Sequence, residues 1–191
     1  MKTYLTSDWR ALVEARISLQ AGRRGVDSAI RAVPDALQNH PGLLYDRAQW
    51  RRRRGMRDEA VPLLVDIDGN DVPSAARGRL WDERNIAIRN ELKDANFSTA
   101  YALAAPHGMS DGADFAEAEW ISGWIALRQL ADAQTAEGHF ETLGANVSTP
   151  ISSSRASYWS GRALEAMGES DAAQTAYESA AQYNYTYYGQ L

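Results

Sequence analysis

The chain has 191 residues, of which 45% are hydrophobic and 24% are charged, and its formal net charge is −5. This composition is typical of a folded globular chain, and the acidic balance disfavours a nucleic-acid-binding protein, because phosphate contacts require a basic surface. The absence of cysteine excludes disulfides, thiolate metal sites and cysteine nucleophiles.

Helical signals begin near the amino end. Ser7 or Asp8 is a suitable N-cap for a helix that ends at Gln20. A short helix is predicted over residues 26–33, where Pro34 interrupts it. Residues 1–39 are therefore assigned to N-terminal helices.

The next segment, HPGLLYDRAQWRRRRG (40–55), has clear boundary signals. It predicts a helix with Pro41 in the first turn, arginines in the last turn and Gly55 at the C′ position. MRDEAVPLLVDI (56–67) is predicted to be its antiparallel partner, with Pro62 near that helix's beginning.

Helices and loops continue to alternate through the middle of the chain. Residues 67–73 are predicted to form a loop, residues 74–94 a long helix and residues 96–105 a short one. PHGMSDG (106–112) is predicted to be a loop. Residues 40–110 thus form degenerate helix pairs.

The last part, residues 111–191, contains a repeat. Residues 115–145 resemble residues 155–181, with Gly123 matching Gly161. Helix pairs that recur every ~34–40 residues are typical of an α-solenoid. We therefore predict an all-α fold, a superhelix of antiparallel helix pairs that resembles tetratricopeptide repeats in its last units, with residues 1–191 forming one domain.

Six tryptophans occur at helical spacings, and three of them lie in the repeat region. Trp120 and Trp124 share one helix face, and Trp159 lies in the next unit. Packing between helices is one interpretation of these rings. The other is a stripe on which sugar rings stack.

The strongest charge run is formed by Arg51, Arg52, Arg53 and Arg54. One interpretation is a helix C-terminus, whose dipole favours cations. The other is a patch that binds an anion or an acidic partner.

No pattern in the sequence indicates a catalytic, metal or cofactor site. Glu117 and Glu119 precede Trp120, and a neighbouring ring can raise a carboxyl pKa, but no second carboxylate follows at a useful spacing. The three histidines are far apart and form no metal-binding motif. Residues 152–154, a run of three serines, are predicted to be loop and N-cap material. No stretch of ~18 apolar residues predicts a membrane span.

Several fragments, in order, resemble the helical region of soluble lytic murein transglycosylases. They include HPGLLYDRAQWRRRRG, AEAEWISGWIALR, VSTPISSSRASYWSGRALEAMGESDAA and the final YNYTYYGQL. In that family an α-superhelical region precedes a lysozyme-like catalytic domain, and the segment before that domain is similar to the end of this chain. The resemblance covers roughly residues 40–191.

The resemblance implies a role in the bacterial periplasm. The family cleaves peptidoglycan glycan strands to 1,6-anhydromuramoyl products, and its partners would be glycan strands and its own catalytic domain. Tyr183, Tyr185, Tyr187 and Tyr188 would then contact that domain. The family's catalytic Glu-Ser motif has no match here, because Glu178-Ser179 lies within a repeat helix, so no catalytic residue is assigned. The alternative function is a tetratricopeptide-like scaffold that binds a protein or peptide.

Overall fold

The computed structural model describes residues 6–191, and over that range it contains α-helices and one 3-10 turn, Gly69–Asp71, but no strand. The predicted all-α fold of consecutive helix pairs is confirmed. In chain order the helices are α1 (Ser7–Gln20), α2 (Val26–Arg31), α3 (Asp35–Gln38), α4 (Pro41–Arg53), α5 (Arg57–Val65), α6 (Ser74–Lys93), α7 (Phe97–Ala104), α8 (Gly112–Arg128), α9 (Ala133–Asn146), α10 (Pro150–Met167) and α11 (Ser170–Ala181).

Contacts divide the chain into two compact units, of which the first ends at Glu83 and the second begins at Arg84, within α6. The boundaries predicted from the sequence at residues 40 and 111 stay predictions. In the first unit α1 packs against α2 and α4, and α4 packs against α5. Its core is built from Leu12, Ala15 and Leu19 of α1, which share one face and meet Leu43 of α4.

The boundary signals around α4 act as predicted. Pro41 occupies its first turn, and Gly55 adopts the left-handed backbone (φ +76°) that suits glycine after a helix. Three details of the first unit differ from the sequence prediction. The N-cap of α1 is Thr6 rather than Ser7 or Asp8. Residues 35–38 form the short helix α3, and Pro62 is the sixth residue of α5 rather than part of its beginning. The helix tolerates Pro62 because tertiary packing outweighs one missing backbone hydrogen bond.

The second unit stacks its last four helices in sequence, so that α8 packs on α9, α9 on α10 and α10 on α11. Gly123 on α8 faces the ring of Phe140 on α9, and Gly161 on α10 faces the ring of Tyr177 on α11. Both pairs use a glycine where an aromatic ring meets a helix backbone.

The serine run at residues 152–154 was predicted to be loop and N-cap, and that prediction is wrong. Helix α10 begins at Pro150, and its cap is Thr149, whose side chain accepts a hydrogen bond from the Ser152 amide. The serines therefore lie inside the helix, and Ser154 is buried there.

Candidate functional site

The end of the second unit is held in place by one buried threonine. Thr186 Oγ1 lies 2.8 Å from Ser154 Oγ on α10 and 2.9 Å from the carbonyl oxygen of Tyr183. The same oxygen accepts a hydrogen bond from the Gly189 amide at 3.1 Å. These bonds tie the backbone of the segment after α11 to α10.

The four predicted interface tyrosines divide into two pairs. Tyr185 and Tyr187 are 70% and 71% exposed, whereas Tyr183 and Tyr188 are half-buried. The ring centroid of Tyr188 lies 5.5 Å from that of Tyr158 and 5.1 Å from that of Tyr187. Tyr188 thus packs against α10, whereas Tyr185 and Tyr187 present large rings to solvent.

A groove of about 430 Å³ lies beside this segment and is lined by aromatic and charged side chains. Tyr177 donates its hydroxyl proton to Glu165 Oε2 at 3.0 Å, and Arg162 Nε lies 3.3 Å from the same oxygen. Arg162 Nη1 also donates to the Tyr158 hydroxyl at 3.3 Å. Burial and the bond to Glu165 raise the pKa of Tyr177 to about 12, so this phenol stays neutral at physiological pH. The groove therefore offers ring faces beside a fixed ion pair.

The predicted tryptophan stripe is only partly assembled. The ring centroids of Trp120 and Trp159 lie 6.5 Å apart, edge to face, and Trp159 also lies 6.1 Å from Phe140. The guanidinium carbon of Arg155 lies 5.2 Å from the Trp120 ring centroid. Trp124 is half-buried and lies outside this cluster. Other side chains pack against much of the surface of Trp120 and Trp159, which agrees with the interpretation that these rings pack between helices. Sugar stacking on them stays a prediction.

The arginine run lies at the end of α4, and three of its members have partners within the first unit. Arg51 donates to the Glu59 carbonyl at 2.9 Å, and the guanidinium carbon of Arg54 lies 4.0 Å from the Trp50 ring centroid. Arg52 forms a bidentate pair with the buried carboxylate of Glu83, in which Nη2 lies 3.0 Å from Oε2. Arg53 is exposed. Anion binding by this run stays a prediction.

The structure also assembles a buried polar cluster that sequence reasoning missed. The side chain of Glu119 on α8 is 9% exposed. His107 Nε2 lies 3.1 Å from Oε1 of this carboxylate, and His139 Nδ1 lies 2.6 Å from Oε2. His139 Nε2 lies 3.0 Å from the Tyr101 hydroxyl, and His107 Nδ1 accepts the Met109 amide at 3.0 Å. We call Tyr101, His107, Glu119 and His139 the Glu119 cluster.

Its bonds specify both imidazole tautomers. His107 Nδ1 accepts a backbone N–H, so the proton of the neutral ring is on Nε2 and points to Glu119. In the same way, the Tyr101 hydroxyl can donate to His139 Nε2 while His139 Nδ1–H donates to Glu119. Every polar atom of the two neutral rings is then used, which makes the cluster a self-satisfied structural network.

The surroundings of Glu119 lower its pKa. Burial by itself raises the pKa of this carboxyl, but the hydrogen bonds from His107 and His139 outweigh burial and lower it to about 2. Glu119 is therefore ionised at neutral pH and does not have the protonated state that a general acid requires. Its position between Phe115 and Ser122 on the buried face of α8 was the signal available in the sequence.

The Glu178-Ser179 pair lies on α11, as predicted. Gln174 Nε2 donates to Glu178 Oε1 at 2.9 Å, and Ser179 Oγ donates to the Thr175 carbonyl at 2.9 Å. Glu178 is exposed. Both side chains thus bond within their own helix.

Comparison of the chain with protein-family models, with curated proteins and with solved structures gave no match. No helix within residues 6–191 has the length and apolar character needed to cross a bilayer. Across the same residues, no group of three or more histidine, aspartate or glutamate side chains is arranged to hold a metal ion.

Proposed function

We propose that this chain is the helical-repeat region of a soluble lytic transglycosylase and that it positions a lysozyme-like catalytic domain through its C-terminal tyrosines. The enzyme would act on peptidoglycan in the periplasm and leave 1,6-anhydromuramoyl ends. The observation that supports this function best is a firmly held segment that nevertheless exposes Tyr185 and Tyr187. The family resemblance supplies the identity of the partner domain.

Exposed tyrosines on a firmly held backbone suit domain docking for two physical reasons. A tyrosine ring buries a large apolar area and its hydroxyl forms a hydrogen bond, so tyrosine is enriched at the centres of interfaces. Because Thr186 already fixes the segment, docking would order few additional rotatable bonds. Leu191, which is 66% exposed, adds apolar area beside the rings.

Residues 1–191 are given no catalytic role. Cleavage of a glycosidic bond needs an acid whose pKa is raised in a sheltered cleft. Burial raises the pKa of Glu137, but that carboxylate takes part in helix packing, since it accepts the Ser160 hydroxyl of α10 at 2.7 Å. The pKa of Glu119, beside Trp120, is lowered to about 2 instead. Glycan contact by this region would then orient the substrate rather than cleave it.

Hydrogen exchange tests the docking role. The gene should be sequenced beyond the codon for Leu191, and the complete product compared with residues 1–191 by exchange mass spectrometry. We expect slower exchange at residues 183–191 in the complete product, and loss of that protection in a Tyr185→Ser/Tyr187→Ser variant. A reading frame that does not encode a lysozyme-like domain, or equal exchange in both proteins, would contradict the proposal.

The absence of catalysis in this region is tested separately. Residues 1–191 should be incubated with purified peptidoglycan sacculi and the soluble fraction separated by mass spectrometry. We expect no anhydro-muropeptide above the level of a buffer control. Measurable release would show that a catalytic group lies within this chain.

The groove beside α10 and α11 favours a second candidate, a tetratricopeptide-like scaffold that binds a peptide. Its tyrosine walls and the Arg162–Glu165 pair suit an extended peptide with polar and apolar side chains. Tryptophan fluorescence titrated with chitotetraose and with muropeptides separates the two candidates. No response at millimolar concentrations of either ligand would favour the scaffold.

A further inference from the structure

A cleft of about 360 Å³ lies in the first unit, far in sequence from the tyrosine segment. It is lined by α1, the beginning of α4, the loop of residues 67–73 and the first turns of α6. Its volume falls in the range of small-molecule sites, ~300–1,000 Å³. Three buried apolar side chains contribute to its wall, namely Ile67, Val72 and Leu80.

Arg16 is oriented in this cleft by a buried carboxylate. Its Nε lies 2.7 Å from Asp46 Oδ2, and the Asp46 side chain is 3% exposed. Gln20 Nε2 lies 3.1 Å from both oxygens of the same carboxylate. Arg16 bonds Asp46 through Nε alone. Its Nη1 and Nη2 groups donate to no acceptor among residues 6–191. A planar pair of N–H donors is thus left to face a ligand.

A glycine makes room for this guanidinium. A Cβ atom at Gly42 would lie 2.6 Å from both Cζ and Nη1 of Arg16. Gly42 is the second residue of α4, where alanine is conformationally acceptable. The small residue therefore sets the position of Arg16 rather than the shape of the helix.

Three further donors line the cleft. His40 Nδ1 accepts the Gly42 amide, which leaves the N–H of the neutral ring on Nε2. Burial and the charge of Arg16 lower the pKa of His40, which favours this neutral form. The Tyr45 hydroxyl accepts from Gln49 at 3.1 Å and keeps its own proton for another acceptor. Arg79 is exposed at the cleft and makes no ion pair with residues 6–191.

The acceptors of the cleft are largely used by the protein itself. Asp46 is bonded to Arg16 and Gln20, and His40 Nδ1 is bonded to backbone. Two acceptors are exceptions: Asp71 lies exposed in the 3-10 turn beside the cleft, and Gln20 bonds Asp46 through Nε2, which leaves its Oε1 unused. Unused donors therefore outnumber unused acceptors, so the matching ligand brings acceptors and a negative charge.

We propose that this cleft binds a small organic anion, whose carboxylate or phosphate group meets Arg16 and Arg79 and whose apolar body packs on Ile67, Val72 and Leu80. The assignment is independent of the lytic transglycosylase proposal, since it uses only the first unit. The carboxylate of Asp71 repels the anion and weakens its binding.

Four probes with one ring and different head groups test the assignment. Benzoate, phenyl phosphate, benzamide and benzylamine are titrated into the ¹⁵N-labelled chain, and chemical-shift changes are followed by NMR. We expect saturable changes with benzoate or phenyl phosphate at residues of α1 and early α4. Their relative dissociation constants identify the preferred head group. Stronger binding of benzylamine, equal binding of all four probes, or no binding up to 20 mM would overturn the assignment.

Four substitutions locate the binding group. Gly42→Ala, which displaces the Arg16 guanidinium, and Arg79→Gln are each expected to weaken the preferred anion about tenfold, and Asp71→Asn to tighten it a few-fold. Arg53→Gln, an equal change of charge outside the cleft, is the control and should leave binding unchanged. If Arg53→Gln weakened binding as much as Arg79→Gln, the anion would be attracted only by the overall charge of the protein, and the proposal would be overturned. A far-ultraviolet circular dichroism spectrum of each variant confirms that it is folded.

Discussion

Gly123 and Phe140 approach so closely that a Cβ atom on Gly123 would lie 2.5 Å from Cε1 of the ring. Gly161 and Tyr177 repeat this relationship with the same 2.5 Å separation. The contact between helix backbone and ring is therefore a common packing element of the α8–α9 and α10–α11 pairs. It explains why the two repeats share a glycine and an aromatic residue while differing at many surface positions.

Replacement of Gly123 by alanine should destabilise the second unit by about 2 kcal/mol or more, because Phe140 is buried and has little room to move. Gly138→Ala is the matched control. Gly138 lies in α9, and no atom lies within 4 Å of its added Cβ, so alanine there should stabilise by about 0.5–1 kcal/mol. Urea unfolding measures both. Similar free energies of unfolding for the two variants would show that the glycine–ring contact is not a constraint.

Glu119→Gln should lower the free energy of unfolding at pH 7 by about 2–3 kcal/mol, since the amide group of glutamine would place a donor against an imidazole N–H. The native pKa of Glu119 is lowered from 4.5 to about 2, so its ionisation stabilises the fold above pH 4.5. That contribution is lost as the pH falls from 4.5 to about 2. The difference between wild type and variant should therefore shrink across this window in urea titrations. A difference that stays constant down to pH 2.5 would contradict the assigned pKa.

Arg52→Gln should destabilise the chain by about 1–3 kcal/mol, because it removes the charged partner of the buried Glu83 carboxylate. Arg53→Gln, one residue away and exposed, should change stability by less than about 0.5 kcal/mol. Thermal and urea unfolding of the two variants provide the comparison. Equal effects would mean that the Arg52–Glu83 pair contributes no more than a surface charge.

Thr186→Val should loosen the C-terminal segment, because it removes the hydroxyl shared by Ser154 and the Gly189 amide. We expect a loss of about 1–3 kcal/mol and faster amide exchange at residues 183–191. Thr175→Val is the control, since the Thr175 hydroxyl bonds only to the Asp171 carbonyl on its own exposed helix turn. Unchanged exchange in Thr186→Val would show that ring packing alone holds the segment.

Local sequence signals identified most of the helices in the first unit but not every detail. The proline and glycine positions of α4 were predictable because they depend on residues within a few positions of each other. The position of Pro62 inside α5 was not, because the packing of Leu63 and Leu64 decides it from outside the local sequence. The Arg52–Glu83 pair spans 31 residues and gave no local pattern.

By itself, the sequence determined an all-α chain, the approximate ends of its helices and the glycine and aromatic positions of the last repeats, because these features follow from short-range backbone geometry and helical periodicity. Only the tertiary structure decided which polar groups meet. His107 and His139 are 12 and 20 residues from Glu119, and they converge on it only because α9 packs against α8 and the loop before α8 folds back onto that helix. The same holds for Thr186 and Ser154, 32 residues apart, whose bond fixes the exposed tyrosines. Such contacts depend on packing between elements, which no local spacing encodes.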